Sequence, residues 1–149
     1  MIGLLQRVSE ASVHVDGELV GCIDQGLLVF VGIERKDTKA IAARLLERIL
    51  GYRVFADDSG RMNLSVRDVG AGLLLVPQFT LVADTRKGAR PSFSHAASPE
   101  LGRELFAEIL VRARQCHESV AAGVFGVDMQ VSLLNNGPVT FWLQVSAAD

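Results

Sequence analysis

This chain of 149 residues is poor in several residue types and patterns that announce function. Cysteine occurs twice, at Cys22 and Cys116, and no C-x-x-C pair exists. That excludes a zinc ribbon or dithiol redox site of this kind, and two reduced, mostly packed thiols are expected. Histidine occurs three times, at His14, His95 and His117, and no two stand at metal-ligand spacing. No metal and no cofactor is therefore expected. Long apolar runs are missing too: none approaches the roughly 20 residues that span a bilayer. The N-terminus MIGLLQRVSEASVHV alternates like a strand and lacks the basic start and long apolar centre of a signal peptide. The expectation is a soluble, cytoplasmic protein with no membrane partner. A basic excess is also absent, with net charge −2 and a pI of about 5.9. This argues against coating long stretches of nucleic acid, but not against gripping one end of an RNA.

What is present describes a folded protein. Hydrophobic residues make up 49% and charged residues 21%, which excludes a disordered chain. The length fits one domain, 1–149, with no repeat, low-complexity tract or linker. Residues 2 to 15 alternate as a strand, Asp16-Gly17 is a two-residue hairpin signal, and residues 18 to 23 return. GLLVFVGI (26 to 33) reads as a strand buried on both faces. A helix is predicted over about 38 to 51. Thr38 caps it, Gly51 stops it, and Ile41, Leu45, Leu46, Ile49 and Leu50 share one face. YRVF then reads as a short strand and DDSG as a turn, and LLLVPQFTLVA (73 to 83) as a strand pair or kinked strand interrupted by Pro77. A second helix is predicted from Ser98 as cap and Pro99 at the first position to near 118, with Leu101, Leu105 and Ile109 as its stripe. The fold class expected is α/β with mixed α+β character. Mixed, mostly antiparallel sheet would form a barrel-like core under two main helices.

Four stretches look unlike scaffold. PQFTL (77 to 81) places Gln78 and Thr80 on one face of an extended segment, as a polar holder or as ordinary strand surface. RKGARPSF (86 to 93) puts Arg86, Lys87 and Arg90 around a glycine and ends on Phe93. It can grip phosphate and stack a base, or be a solvated basic loop. It lies within the longest irregular stretch, 84 to 99. Thr80 and His95 can be imagined as a nucleophile and base, though no acid is placed to orient the histidine. NNGPVT (135 to 140) sets a breaker between two strand-like runs, either as a hairpin turn or as a working part.

Taken in order, MI-x-LLQRV, GLLVFVGI, LGYRVFAD, GRMNLSV, PQFTLVADTRKGARPSF and DMQVSLLNNGPVTFWLQV resemble the D-aminoacyl-tRNA deacylases from Met1 to about Val145. The resemblance implies hydrolysis of the ester joining a D-amino acid, or mischarged glycine, to the 3′-terminal adenosine of tRNA. It implies a homodimer with sites at the subunit interface, and a cis Gly137-Pro138 bond presented to the neighbouring subunit. Carbonyls of that motif would accept from the substrate ammonium, and its backbone would crowd an L side chain. Arg7 and Met129 would support the site. Gln78, Phe79 and Thr80 would form the catalytic segment, its N–H groups near Phe79 and Thr80 facing the oxyanion. The RNA 2′-hydroxyl would assist. Arg86, Lys87, Arg90 and Phe93 would meet the CCA end. Two departures from the family pattern stand out: Pro77 replaces the usual serine, and Asn136 a frequent aspartate. Pro77 keeps open a catalytically impaired tRNA-end-binding protein, and the Thr80–His95 pairing keeps open a generic esterase.

Overall fold

The computed structural model describes residues 1–147. Strand β1 (Ile2–Val15) is the spine. Asp16 and Gly17 both take positive φ, 50° and 81°, and turn the chain into β2 (Glu18–Ile23), as the Asp-Gly signal predicts. β3 (Gly26–Gly32) pairs antiparallel with the first half of β1, from Ile2↔Gly32 to Val8↔Gly26. Helix α1 (Lys39–Gly51) then crosses the sheet, capped by the Thr38 hydroxyl, which accepts from Ile41 N–H. Gly51 lies inside the last turn and Tyr52 is the C-cap, so the glycine is not the stop signal expected of it.

Most of YRVF is not strand. Only β4 (Phe55–Ala56) pairs with β5 (Met62–Leu64), because Asp57 draws the intervening residues into a tight turn. Its carboxylate accepts from Ser59, Arg61 and Asn63. β6 (Gly72–Pro77) runs parallel to β3 and to β7 (Val120–Ala122). Between β6 and β7, α2 (Pro99–Cys116) is capped by Ser98, with Pro99 at the first turn as predicted, and ends slightly early. β8 (Gln130–Gln144) pairs with β1 along almost its whole length.

The sheet order is β2-β1-β3-β6-β7, with β8 on β1. It curls towards closure where β2 meets β7. A Cβ on Gly21 would stand 2.7 Å from the Ala122 carbonyl oxygen, so only glycine lets the two strands approach. Successive side chains on β3 and β6 point to opposite faces. Leu27, Val29, Leu73 and Leu75 meet Leu45 and Ile49 of α1 and Leu105 and Ile109 of α2. Leu28, Leu74 and Val76 meet Val8 and Val13 inside the barrel. Both faces are dry, hence the unbroken apolar run of β3. Each fully buried aliphatic side chain stabilises the fold by about 1.5–3 kcal/mol.

One polar cluster is also interior. The Met1 ammonium group donates to Glu34 (2.7 Å), Asp37 (2.8 Å) and the Val145 carbonyl (2.8 Å), tying β1 to the α1 entry and to the end of β8. The thiols differ from expectation: Cys22 and Cys116 are both free and exposed. Cys22 lies on edge strand β2, most of whose residues are exposed.

Candidate active site

β6 ends at Pro77, and the proline costs the ladder little. Gln78 N–H bonds the Val31 carbonyl on β3, so the neighbouring position 77 faces the β7 side. The β6–β7 pairing stops at Leu75↔Ala122, so no strand there needs a donor from residue 77. Its ring instead lies beside Gly123.

Beyond it the chain is not extended, as PQFTL suggested, but forms one 3₁₀ turn, Phe79–Val82. Leu81 N–H and Ala83 N–H close it onto Gln78 and Thr80 carbonyls. Gln78 and Thr80 still meet, since the Gln78 amide donates to the Thr80 hydroxyl. A helical turn leaves its first N–H groups unpaired. Among the described residues no hydrogen bond uses Phe79 N–H or Thr80 N–H. None joins Thr80 to His95, whose carbonyl instead accepts from Arg35 N–H at 3.0 Å.

This turn borders a cavity of about 630 Å³. Gln78 and Phe79 form one side, Phe125 and Met129 another, and Ser98 and Gly102 of α2 a third. Gly102 leaves the room that the Phe125 ring occupies, since a Cβ there would meet the ring at 2.9 Å. Arg103 covers that ring at 5.1 Å, and Phe106 packs on it at 6.4 Å. Met129 is fixed by its sulfur, which accepts from Val124 N–H at 3.3 Å. Phe125 and Gly102 escaped the sequence reading. The one available signal was the glycine pair flanking Val124-Phe125, in a segment with no strand or helix period.

The 84–97 segment stands over the turn. Asp84 and Ser92 exchange backbone hydrogen bonds of 2.8 and 3.0 Å, closing a loop with Gly88 at φ 66°. Arg86, expected to grip phosphate, is already paired within the loop. Its guanidinium forks onto the Asp84 carboxylate at 2.9 and 2.6 Å, and this pairing holds the Asp84 carboxyl well below the usual range. Lys87 and Arg90 are exposed and without an ion-pair partner among the described residues. Phe93 rests on Phe79, with ring centroids 5.1 Å apart.

NNGPVT is not a hairpin turn. Both halves of β8 pair with the same strand: Thr140 stands opposite Gln6 and Asn135 opposite Val8. Residues 136–139 therefore bulge out opposite the single Arg7. The Gly137-Pro138 bond is cis, as the resemblance implies. Gly137 has φ 145°, and a Cβ there would lie 2.6 Å from the Val139 side chain. Arg7 holds the bulge from below, donating from Nε to the Asn136 carbonyl (2.9 Å) and from Nη1 to the Val54 carbonyl (2.6 Å). Asn135, also missed, braces it from the side. Its Oδ1 accepts from Val139 N–H at 2.7 Å, and its Nδ2 reaches Thr140 Oγ1 at 3.0 Å. Beside the bulge, Leu134 and Trp142 are 57% and 51% exposed.

Within one chain the two halves stay apart. Gln78 lies on the row Val31–Gly3–Leu143, whereas the bulge faces Arg7. That offset is four residues along β1 and three strand spacings, roughly 15–20 Å on a curved sheet.

The family model described as "D-Tyr-tRNA(Tyr) deacylase" matches residues 4–144. A D-aminoacyl-tRNA deacylase of Thioalkalivibrio sulfidiphilus is 65% identical over 145 residues, 97% of each chain. One from Legionella pneumophila is 58% identical over 144 residues, 97% of this chain and 99% of that one. A solved structure described as "c-Myc DNA Unwinding Element Binding Protein" superposes with TM-score 0.94 at 37% identity, covering 99% of this chain and all of that one. A second, described as a probable eukaryotic D-amino acid tRNA deacylase, has TM-score 0.85 at 16% identity and shares the fold.

Proposed function

The chain belongs to the D-Tyr-tRNA(Tyr) deacylase family and is a D-aminoacyl-tRNA deacylase, a hydrolase; from that premise we propose how it distinguishes the two hands of its substrate. The terminal adenosine of the tRNA enters the cavity beside Gln78, Phe79 and Met129, whose volume of about 630 Å³ is of ligand size. The ester carbonyl then lies at the Phe79–Val82 turn. Water adds to the carbonyl carbon, and the unpaired N–H groups of Phe79 and Thr80 receive the developing oxyanion. The bond to the ribose 3′-oxygen breaks, that oxygen takes the proton, and the 2′-hydroxyl assists. Thr80, bonded to Gln78, shapes the turn rather than attacking.

Chirality is tested at the α-carbon by the Gly137-Pro138 bulge of a second copy. The observation that carries this reading is the bracing of an exposed bulge from two sides, by Arg7 and by Asn135. A backbone so held presents carbonyl oxygens to the substrate ammonium and cannot swing aside for an L side chain. A D side chain projects away from it and goes unread, and glycine has no side chain to clash. The separation of roughly 15–20 Å within one chain supports a site shared between two copies. The exposed Leu134 and Trp142 beside the bulge offer such a copy an apolar seat. A tRNA substrate supports an activity in the cytoplasm.

The test is ester loss from D-tyrosyl-tRNA and L-tyrosyl-tRNA, together with molar mass by light scattering. Rapid loss from the D substrate only, by a dimer, is expected. Loss from both substrates would sink the chirality argument. Loss from neither would favour the impaired tRNA-end binder.

A further inference from the structure

Resting on that reading of the site, the geometry points to a nucleobase-stacking subsite formed by Phe79 and Phe93, which takes the base of the nucleotide immediately 5′ to the terminal adenosine. The two rings lie 5.1 Å apart with planes tilted by 49°. They are nevertheless 61% and 40% exposed, so they bury little of each other and add little to the core. Two large aromatic side chains left open on a loop and a turn are costly unless something covers them. The occupant follows from position. Phe79 also lines the cavity, so the platform continues outward from the place assigned to the adenosine. Lys87 and Arg90, on the same loop three to six residues before Phe93, are exposed cations with no ion-pair partner among the described residues, and they are available to the phosphates flanking a stacked base. Aromatic platforms followed by cations are the usual means of holding single-stranded RNA, and a base's π-face suits any ring.

Asp84 and Arg86 serve this subsite as positioning residues. The Asp84–Ser92 backbone pair closes the loop one residue before Phe93. The Arg86 guanidinium, forked onto Asp84, stiffens that closure from within the loop. Arg86 is thereby spent on aiming Phe93 rather than on phosphate.

The experiment compares three esters of D-tyrosine: intact tRNA, tRNA whose penultimate nucleotide is an abasic ribose with its phosphate kept, and adenosine alone. With the unaltered enzyme, removing the penultimate base is expected to raise KM roughly 5- to 150-fold, the range of one stacked base. Phe93→Ala should lose as much on intact tRNA and lose nothing further on the abasic tRNA. Phe93→Trp should restore the intact substrate. Asp84→Asn should follow Phe93→Ala in KM, with kcat unchanged. Indifference of the unaltered enzyme to the base overturns the proposal. So do losses that multiply, or a Phe93→Ala enzyme that fails only by falling to monomers. Failure of the unaltered enzyme on all three esters removes the proposed function itself, and this subsite with it.

Discussion

Replacing Arg7 by alanine isolates the clamp under the bulge. Arg7 makes two charge-assisted hydrogen bonds, to Asn136 at 2.9 Å and to Val54 at 2.6 Å. Such bonds contribute about 1.5–3 kcal/mol each when shielded, and less in water. The Asn136 bond is exposed and the Val54 bond partly buried, so about 2 kcal/mol of bracing on the bulge is a fair figure. At 1.36 kcal/mol per decade that is roughly 30-fold in the population of the braced form. Selection by repulsion fails when the wall yields. L-tyrosyl-tRNA hydrolysis should therefore rise while D-tyrosyl-tRNA hydrolysis falls modestly, shrinking the ratio of the two kcat/KM values by roughly 30-fold. Arg7→Lys keeps a charge but loses the fork, and should fall between. The assay is ester loss under single turnover, with the melting temperature measured alongside. A folded Arg7→Ala enzyme whose D-to-L ratio stays at the original value would refute the reasoning. Selection would then lie elsewhere than in the braced bulge.

Four further outcomes are expected. Asp37→Ala leaves the buried Met1 ammonium with Glu34 and the Val145 carbonyl only, and should cost about 3 kcal/mol, read as a loss of roughly 6–12 °C in Tm. The Asp57 carboxyl is held at about 2, first by the Ser59 hydroxyl and then by Asn63 and the Arg61 N–H. A folded value below the unfolded one gives stabilisation that is full above about pH 4 and lost towards pH 2. Amide shifts of Ser59 and Arg61 should move across that window and stay flat in Asp57→Asn. With Arg86 committed to Asp84, only Lys87 and Arg90 of the basic loop remain for phosphate. The logarithm of tRNA affinity should then fall against log salt with a slope of about −1.4, and a slope near −4 would mean a much larger footprint. Pro77→Ser should keep turnover within one decade, about 1.4 kcal/mol of barrier, because no strand there needs a donor from residue 77, even though the side chain borders the cavity. A larger rise would show that a hydroxyl is needed there.

Local patterns in the chain account for much of the architecture. The Asp16-Gly17 turn, the Thr38 and Ser98 caps, the doubly buried β3 and the stripes of both helices follow from rules that act within a few residues. Motif order was enough to point to the family. Where the reading slipped, contacts distant in sequence had decided the matter. PQFTL has strand propensity, but β6 loses β7 after Ala122 and β3 after Val31, and the chain closes into a turn on its own carbonyls. NNGPVT resembles a hairpin, yet β1 is long enough to pair with both of its flanks, which turns the breaker into a bulge.

The sequence by itself determined the local elements and, through the order of its motifs, the family, because residue type and spacing are written in it. Gly137, Pro138, Arg7, Gln78 and Thr80 were singled out through the resemblance those motifs carry. Only the tertiary structure decided their partners. It paired Arg86 with Asp84, brought Phe93 onto Phe79, set Phe125 into the room left by Gly102, and enlisted Asn135 beside Arg7. The physical reason is that a side chain's availability depends on what packs against it. A basic loop reads the same whether its arginine faces solvent or is already held by a carboxylate two residues away.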